Sequence, residues 1–258
     1  MHANYPTKMR APMHFHITAI VVVALSFACA KPREEPVTHQ PEHGHHHHGH
    51  HDHGHGHGVN EHGYKGHRFD DPEQWMQQFE SPERTAWQKP DEVVASLALA
   101  PDATIADLGA GTGYFTIRFA AAVPSGKVYA VDIEPSMVAW LSERAQKQGL
   151  ANVEAIRAEP DDPRLPGPVD VVFMCNVFHH LADPQAYFEA VAGKLEAEGR
   201  VVIVDFRKDN PDDAPGPPAH MRMTAEQVVE IMRAAGYQLR RHDRELLQYQ
   251  YLLEFTLQ

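Results

Sequence analysis

Residues 105–113 read Ile-Ala-Asp-Leu-Gly-Ala-Gly-Thr-Gly, an apolar run followed by glycine at alternate positions, Gly109, Gly111 and Gly113. Few features constrain a chain more. Alternating glycines remove the Cβ atoms that would block a close approach and tolerate positive φ. They suit a tight strand-to-helix turn whose backbone lies directly against a ligand. The stretch from Tyr114 to Val123 is apolar and Ala-rich, so the turn opens a helix whose free N–H groups suit a carboxylate or phosphate. A nucleotide-type ligand is the expectation.

Dinucleotide sites carry G-x-G-x-x-G, whereas this chain has G-x-G-x-G preceded by Asp107. The spacing disfavours an NAD-dependent oxidoreductase. The D-x-G-x-G-x-G pattern resembles the first motif of the class I S-adenosylmethionine-dependent methyltransferases. The resemblance implies that Asp107, Gly109, Gly111 and Gly113 hold the methionine end of that cofactor. A second strand pattern, 127–131, ends at Asp132, 19 residues beyond Gly113. A carboxylate at the tip of a neighbouring strand can accept hydrogen bonds from both ribose hydroxyls. The stretch 131–137, Val-Asp-Ile-Glu-Pro-Ser-Met, is similar to the family's second motif, which adds Ile133 to the cofactor set. The competing reading makes Asp132 a helix N-cap, a task that Ser136 or Glu134 can also perform.

Two further segments follow in register. A third strand pattern, 152–158, ends at Glu159-Pro160-Asp161-Asp162, where the family has a Gly-Asp-Ala-type sequence whose acid meets the adenine amino group. Glu159 is the candidate for that role here and Asp161 its rival; either can instead be a solvated loop charge. A fully apolar fourth strand, 169–175, runs into Asn176-Val-Phe-His179-His180-Leu. That segment looks like the family's post-strand segment at the cofactor edge and places Asn176 there.

The resemblance covers roughly residues 68–258 and implies an α/β fold: a Rossmann-like doubly wound seven-stranded sheet, mostly parallel with an antiparallel C-terminal strand. The pattern agrees. Strands are expected near 104–108, 127–132, 153–157, 169–175 and 200–205, with helices near 91–100, 114–123, 136–148 and 184–195. Such alternation implies parallel strands with right-handed crossovers. A further helix over 224–235 is capped by Thr224 and closed by Gly236, and 237–246 and 249–257 read as a β-hairpin. Residues 68–100 resemble a short helical lid, whose Trp75, Phe79 and Trp87 either close over the ligands or pack the lid onto the core.

The front of the chain is different. Lys8 and Arg10 precede a predominantly apolar run over 17–28, which suits a signal-peptide core and is short for a membrane span. Cleavage after Ala30 competes with lipidation of Cys29, because 25–29 resembles a lipobox with its leucine one place early. Residues 1–30 are therefore expected to export or anchor the chain, and membrane contact is expected only there. S-adenosylmethionine is made and kept in the cytosol, so three alternatives stay open: an uncleaved anchor with the domain on the cytoplasmic face, export with an unusual methyl supply, or an exported domain that has lost catalysis.

Residues 31–67 form a Pro-rich and His-rich linker, with ten histidines between His43 and His57. Nothing apolar is present there to fold. Imidazole suits Zn²⁺, Ni²⁺ and Cu²⁺, so His45, His46, His47, His48, His50, His51, His53, His55 and His57 form a loose divalent-metal tract. An incidental affinity of a solvated spacer is the plainer alternative.

With 23 Lys and Arg against 35 Asp and Glu, the formal charge is −12, and no nucleic-acid partner is expected without a basic stripe. The acceptor expected is a small molecule. Where it presents a hydroxyl or ammonium, a base must take its proton. His179, His180, Asp205 and His220 are the candidates, since they fall at or beyond C-terminal strand ends, where ligands bind in open α/β sheets. A catalytically silent, surface-anchored metal-binding protein is the alternative function. Deleting residues 43–57 is expected to strip Ni²⁺ or Zn²⁺ binding in calorimetric titration while S-adenosylhomocysteine affinity stays unchanged. Loss of both would show that the tract is not an independent tail.

Overall fold

The computed structural model describes residues 71–258. The N-terminal apolar run, Cys29, the histidine tract and residues 68–70 of the expected lid lie outside the described residues. The described chain begins with three short helices, α1 (Pro72–Phe79), α2 (Pro82–Gln88) and α3 (Pro90–Ser96). Each starts on a proline, whose missing N–H costs nothing in the first turn of a helix. Asp71 and Ser81 cap the first two through side-chain bonds to Gln74 N and Arg84 N.

The alternating part follows as β1 (Thr104–Leu108), α4 (Thr116–Ala122), β2 (Lys127–Asp132), α5 (Pro135–Gln148), β3 (Val153–Arg157) and β4 (Val169–Cys175). After a 3-10 turn at Phe178–His180 come α6 (Pro184–Ala192), β5 (Leu195–Phe206), α7 (Ala225–Ala234), β6 (Tyr237–Asp243) and β7 (Gln250–Leu257). One seven-stranded sheet results, ordered β3-β2-β1-β4-β5-β7-β6. All pairs among β1 to β5 are parallel, and β7 runs antiparallel to both β5 and β6. The order reverses between β1 and β4, which makes their C-terminal tips the switch point where ligands bind in such sheets.

Several boundaries differ from the sequence expectation, each for a local reason. Helix α3 stops at Ser96, where Ser96 Oγ donates to the Val93 carbonyl at 2.8 Å. Helix α4 starts at Thr116, two residues late, because Gly113 still belongs to the turn at φ +91°. Helix α6 ends at Ala192 because β5 already begins at Leu195 and pairs there with Val169. Strand β6 stops at Asp243, whose carboxylate accepts from Glu245 N and Leu246 N and turns the chain. Helix α7 forms as expected, with Thr224 and Gln227 completing a capping box.

Both faces of the sheet are covered. On one, Val93, Leu97, Phe115 and Phe119 from the α3–α4 side pack on Ile105, Val128, Phe173, Val202 and Leu252. On the other, Phe188, Val191, Val228 and Met232 of α6 and α7 pack on Val172, Met174, Val201, Ile203, Leu253 and Phe255. Among the described residues no helix is long and apolar enough to cross a membrane. Phe173 is fully buried at the sheet centre, with ring centroids 4.8 Å from Phe115 and 4.9 Å from Phe119. Phe173→Ala is expected to cost about 3–5 kcal/mol, read as a lowered urea midpoint; a shift worth under 1 kcal/mol would show that this cluster is not the centre of the core.

Candidate active site at the switch point

The glycine-rich turn lies at the tip of β1, stitched to β2. Gly109 N and Ala110 N both donate to the Val131 carbonyl, at 2.8 and 3.0 Å. Gly109, Gly111 and Gly113 all have positive φ, at +69°, +55° and +91°. A Cβ on Gly109 would stand 2.4 Å from Val177 Cγ2, so both the conformation and the approach of the segment after β4 demand glycine there.

Asp132 fastens this turn. Its Oδ2 accepts from Gly111 N at 2.8 Å and its Oδ1 from Glu134 N at 3.0 Å. Burial raises its pKa, and these backbone donors oppose the rise. The expectation that Ser136 or Glu134 would cap α5 is corrected. Glu134 is the N-cap residue, yet its side chain makes no cap bond, and Asp132 takes the Glu134 N–H instead. Glu134 Oε2 and Ser136 Oγ are buried without hydrogen-bond partners. Ile133, between the two acids, is half-buried.

Asp107 is buried below the turn, with Thr116 Oγ1 donating to its Oδ2 at 2.6 Å. Burial pushes its pKa up to about 7; the Thr116 bond opposes the rise and the Asp132 charge adds to it. Within electrostatic reach of Asp107 is Arg84 of α2, its guanidinium carbon 4.5 Å from the Tyr114 ring centroid and 5.4 Å from that of Phe79. Beside Arg84 sits Cys175 at the tip of β4, whose thiol burial pushes up to about 12.

Helix α1 closes over the turn. Phe79 stacks with Trp75 at 5.2 Å, and a Cβ on Gly111 would lie 3.8 Å from the Phe79 ring. The Glu80 carboxylate is gripped through both oxygens by Arg144 of α5 and accepts from Thr112 Oγ1 at 2.9 Å. Arg144 and Trp140 also donate to the Thr112 carbonyl, at 2.7 and 3.1 Å. Trp87 of α2 instead meets Phe206 at 5.6 Å and Tyr249 at 6.2 Å. Phe79 thus covers the glycine turn with Trp75 stacked on it, while Trp87 packs against the ends of β5 and of the β6–β7 turn.

At the tip of β4, Asn176 has φ +60°, and its carboxamide closes a ring with those of Gln88 and Gln250. It gives one N–H and takes one donor in that ring, which ties lid, β4 and β7 together. Three residues on, His179 Nδ1 lies 2.9 Å from both carboxylate oxygens of Asp205, and the two side chains are 3% and 5% exposed. The His180 ring is 4.1 Å from that of His179. Tyr251, the cross-strand neighbour of Asp205, has a buried hydroxyl without a partner, and burial raises its pKa. His220 is exposed in the 207–223 segment, which lies on the Phe206 ring at Gly216. Glu159, half-buried beyond β3, pairs with Arg164 at 2.8 Å; Asp161 is exposed.

Sequence reasoning did not find Arg84, Glu80, Thr112, Arg144, Gln88 or Gln250. Their partners stand as far as 162 positions away, and only folding brings them together. Threonine between the second and third glycines was the one local signal on view.

Comparison with known proteins agrees with this geometry. Residues 106–201 match the family model described as a methyltransferase domain. A 125-residue stretch is 30% identical to the cobalt-precorrin-6B C(15)-methyltransferase (decarboxylating) of Salmonella typhimurium, covering 48% of this chain and 63% of that protein. Another of 154 residues is 33% identical to the arsenite methyltransferase of Halobacterium salinarum, covering 56% of this chain and 39% of that protein. The chain therefore spans less than two thirds of the length of these curated relatives. Among solved structures, a SAM dependent methyltransferase from Aquifex aeolicus is similar at a TM-score of 0.66 and 28% identity, over 73% of this chain and 99% of that one.

The raised pKa of Asp107 has a consequence for stability. Between 3.8 and about 7 the folded protein keeps a proton that the unfolded chain has released, so stability falls as pH rises through that window. Asp107→Asn is expected to flatten this fall and to raise the thermal midpoint at pH 8 in the absence of ligand. An unchanged pH profile of unfolding would remove Asp107 as its source.

Proposed function

We propose, on the premise that the α/β domain of this chain belongs to the class I S-adenosylmethionine-dependent methyltransferase family, that the chain methylates a small-molecule acceptor at the C-terminal edge of its sheet. The observation that carries this reading is the glycine turn itself. Three positive-φ glycines, one of them pinned by Asp132, form a turn beneath Phe79 of α1 beside two buried acids, Asp107 and Asp132. When bound, S-adenosylmethionine supplies a sulfonium methyl already activated for in-line displacement, so alignment is the main demand on the protein.

The chain's own residues meet that demand as follows. Gly109, Gly111 and Gly113 admit the cofactor's methionine part close to the backbone. Asp132 spends one hydrogen bond per oxygen on the protein and keeps acceptor capacity for ribose hydroxyls. Ile133 supplies apolar contact beside it, and Glu159 is assigned to the adenine amino group. Asn176 contributes through the backbone it fixes, since its carboxamide is engaged. Helix α1 excludes water from the turn, which strengthens every polar contact beneath it.

For an acceptor hydroxyl or ammonium, His179 is the base. Nδ1 donates to Asp205, which selects the neutral tautomer with its lone pair on Nε2 and orients the ring. His180 stacks beside it, and His220 lies on the segment that would cover the acceptor. The acceptors of the two curated relatives differ in kind, and an arsenite-type acceptor fits poorly. Such a soft centre calls for thiolates, while the whole chain has two cysteines and burial keeps Cys175 a thiol. An oxygen or nitrogen acceptor fits better. The N-terminal run is assigned to membrane anchoring or export and the histidine tract to loose divalent-metal binding.

Calorimetric titration of the full chain is expected to show micromolar affinity for S-adenosylmethionine and S-adenosylhomocysteine and none for NAD⁺. No binding by a folded chain would sink the reading. Once an acceptor is in hand, His179→Asn is expected to lower kcat by roughly 10²–10⁴-fold with S-adenosylhomocysteine affinity within about twofold; undiminished turnover would remove His179 as the base.

A further inference from the structure

A recess of about 330 Å³ lies between the residues just past β5, the start of α7 and the tip of β6. Tyr251 of β7 lines it and is 2% exposed, and its Oη is buried with no hydrogen-bond partner. That hydroxyl is within electrostatic reach of Asp205, its cross-strand neighbour, and of Glu226 on the recess wall. It therefore stands between the His179–Asp205 pair and the recess. Asp205 is already taken up by His179 and by the Phe206 N–H. Burial keeps the phenol protonated, so it is a donor in need of an acceptor. Orphaned buried donors cost stability, and each calls for a reason.

The charge around the recess suggests what that acceptor is. The whole chain carries −12, yet here Arg207, Lys208 and Arg244 stand against Asp209 and Glu226, with His242 beside them. Asp209 serves both guanidinium groups, 3.1 Å from Arg244 and 4.0 Å from Arg207. Lys208 is exposed and has no ion pair among the described residues. The N-terminus of α7, a ten-residue helix, opens on the same recess and adds its partial positive charge. Glu226 reports the resulting field. Its exposed carboxyl is held below the ordinary range by its own backbone N–H and the Thr224 hydroxyl, helped by the charges of Arg244 and His242.

Resting on the acceptor assignment above, we infer that this recess seats an anionic group of the methyl acceptor, a phosphate or a carboxylate. One of its oxygens accepts from Tyr251 Oη, while Lys208 and the α7 N-terminus meet its charge. The acceptor is then a small anion that reaches from this corner to His179. Tyr251, cross-strand from Asp205, sits where the anionic end meets the reacting end. An uncharged acceptor would leave the Tyr251 hydroxyl unpaired and gain nothing from Lys208.

The test titrates the full chain with inorganic phosphate and, separately, with acetate at constant ionic strength, followed by amide NMR signals of Lys208, Ala225 and Glu226. Saturable shifts are expected with at least one anion, and the tighter of the two names the group. Tyr251→Phe removes only the orphaned hydroxyl, so it is expected to keep or raise the thermal midpoint while weakening the anion at least about threefold. Lys208→Ala, at an exposed position, is expected to weaken it by a similar factor, with S-adenosylhomocysteine affinity unchanged in both variants. Glu226→Gln is expected to tighten anion binding, because a competing negative charge is gone. Shifts that never saturate, or unchanged anion affinity in either Tyr251→Phe or Lys208→Ala, would overturn the inference. S-adenosylhomocysteine binding without a saturable anion response would sink this inference alone. Anion binding by a chain that does not bind S-adenosylhomocysteine would keep the anion site and sink the methyl-transfer reading on which its acceptor role rests.

Discussion

The cofactor edge is organised by one carboxylate. Asp132 ends β2 and accepts the N–H of Gly111 with one oxygen and that of Glu134 with the other. It thereby joins the glycine turn after β1 to the entry of α5. A carboxylate this deep is tolerable only when hydrogen-bonded, and the donors it finds are backbone groups. The Gly111 N–H reaches it because Gly111 adopts φ +55°, and Gly109 at +69° has already turned the chain against Val131. Sheet pairing sets β1 and β2 side by side in register; the carboxylate converts that register into a fixed turn geometry.

Buried polar groups elsewhere in the domain divide by whether the protein satisfies them. The carboxamides of Gln88, Asn176 and Gln250 satisfy one another, and such closed networks rigidify and specify an arrangement. His179 and Asp205 form a second paired unit, joined through Nδ1 and both carboxylate oxygens. Arg84 Nε, Glu134 Oε2, Ser136 Oγ, Arg200 Nε, Arg222 Nη1 and Tyr251 Oη are buried side-chain atoms left unpartnered among the described residues. Tyr251 is the cross-strand neighbour of Asp205.

The lid is held differently from the core. Helix α1 buries no residue, so the hydrophobic effect that fastens α3, α4, α6 and α7 has little hold on it. Its attachment is the Glu80–Arg144 pair together with Thr112 and the stacked Trp75 and Phe79. An element secured by polar contacts at its end belongs to the low-stability part of a fold, from which moving lids are drawn. Thr112 couples the two, because its hydroxyl bonds the lid while its carbonyl bonds α5 and its neighbours are the glycines of the turn.

The sequence by itself determined the alternation of elements, the seven-stranded plan with its antiparallel end, and the place of the glycine turn. These depend on short-range signals: period-2 and period-3.6 apolar patterns, glycines where φ must be positive, and Thr224 three residues before Gln227. Asp107, Asp132 and His179 could be named from their positions at strand ends, and parallel pairing does put those ends on one edge. Helix limits at Ser96, Thr116 and Ala192 were less legible, because the turn at Gly113 and the early start of β5 at Leu195 override local propensity. Only the tertiary structure decided what each charged group meets. It gave Asp132 to the turn and the α5 entry, Asn176 to an amide ring, Asp205 to His179 and Glu80 to Arg144. Those assignments join residues far apart in sequence, and the energy of a buried charge depends on its neighbours in space, which no local pattern records.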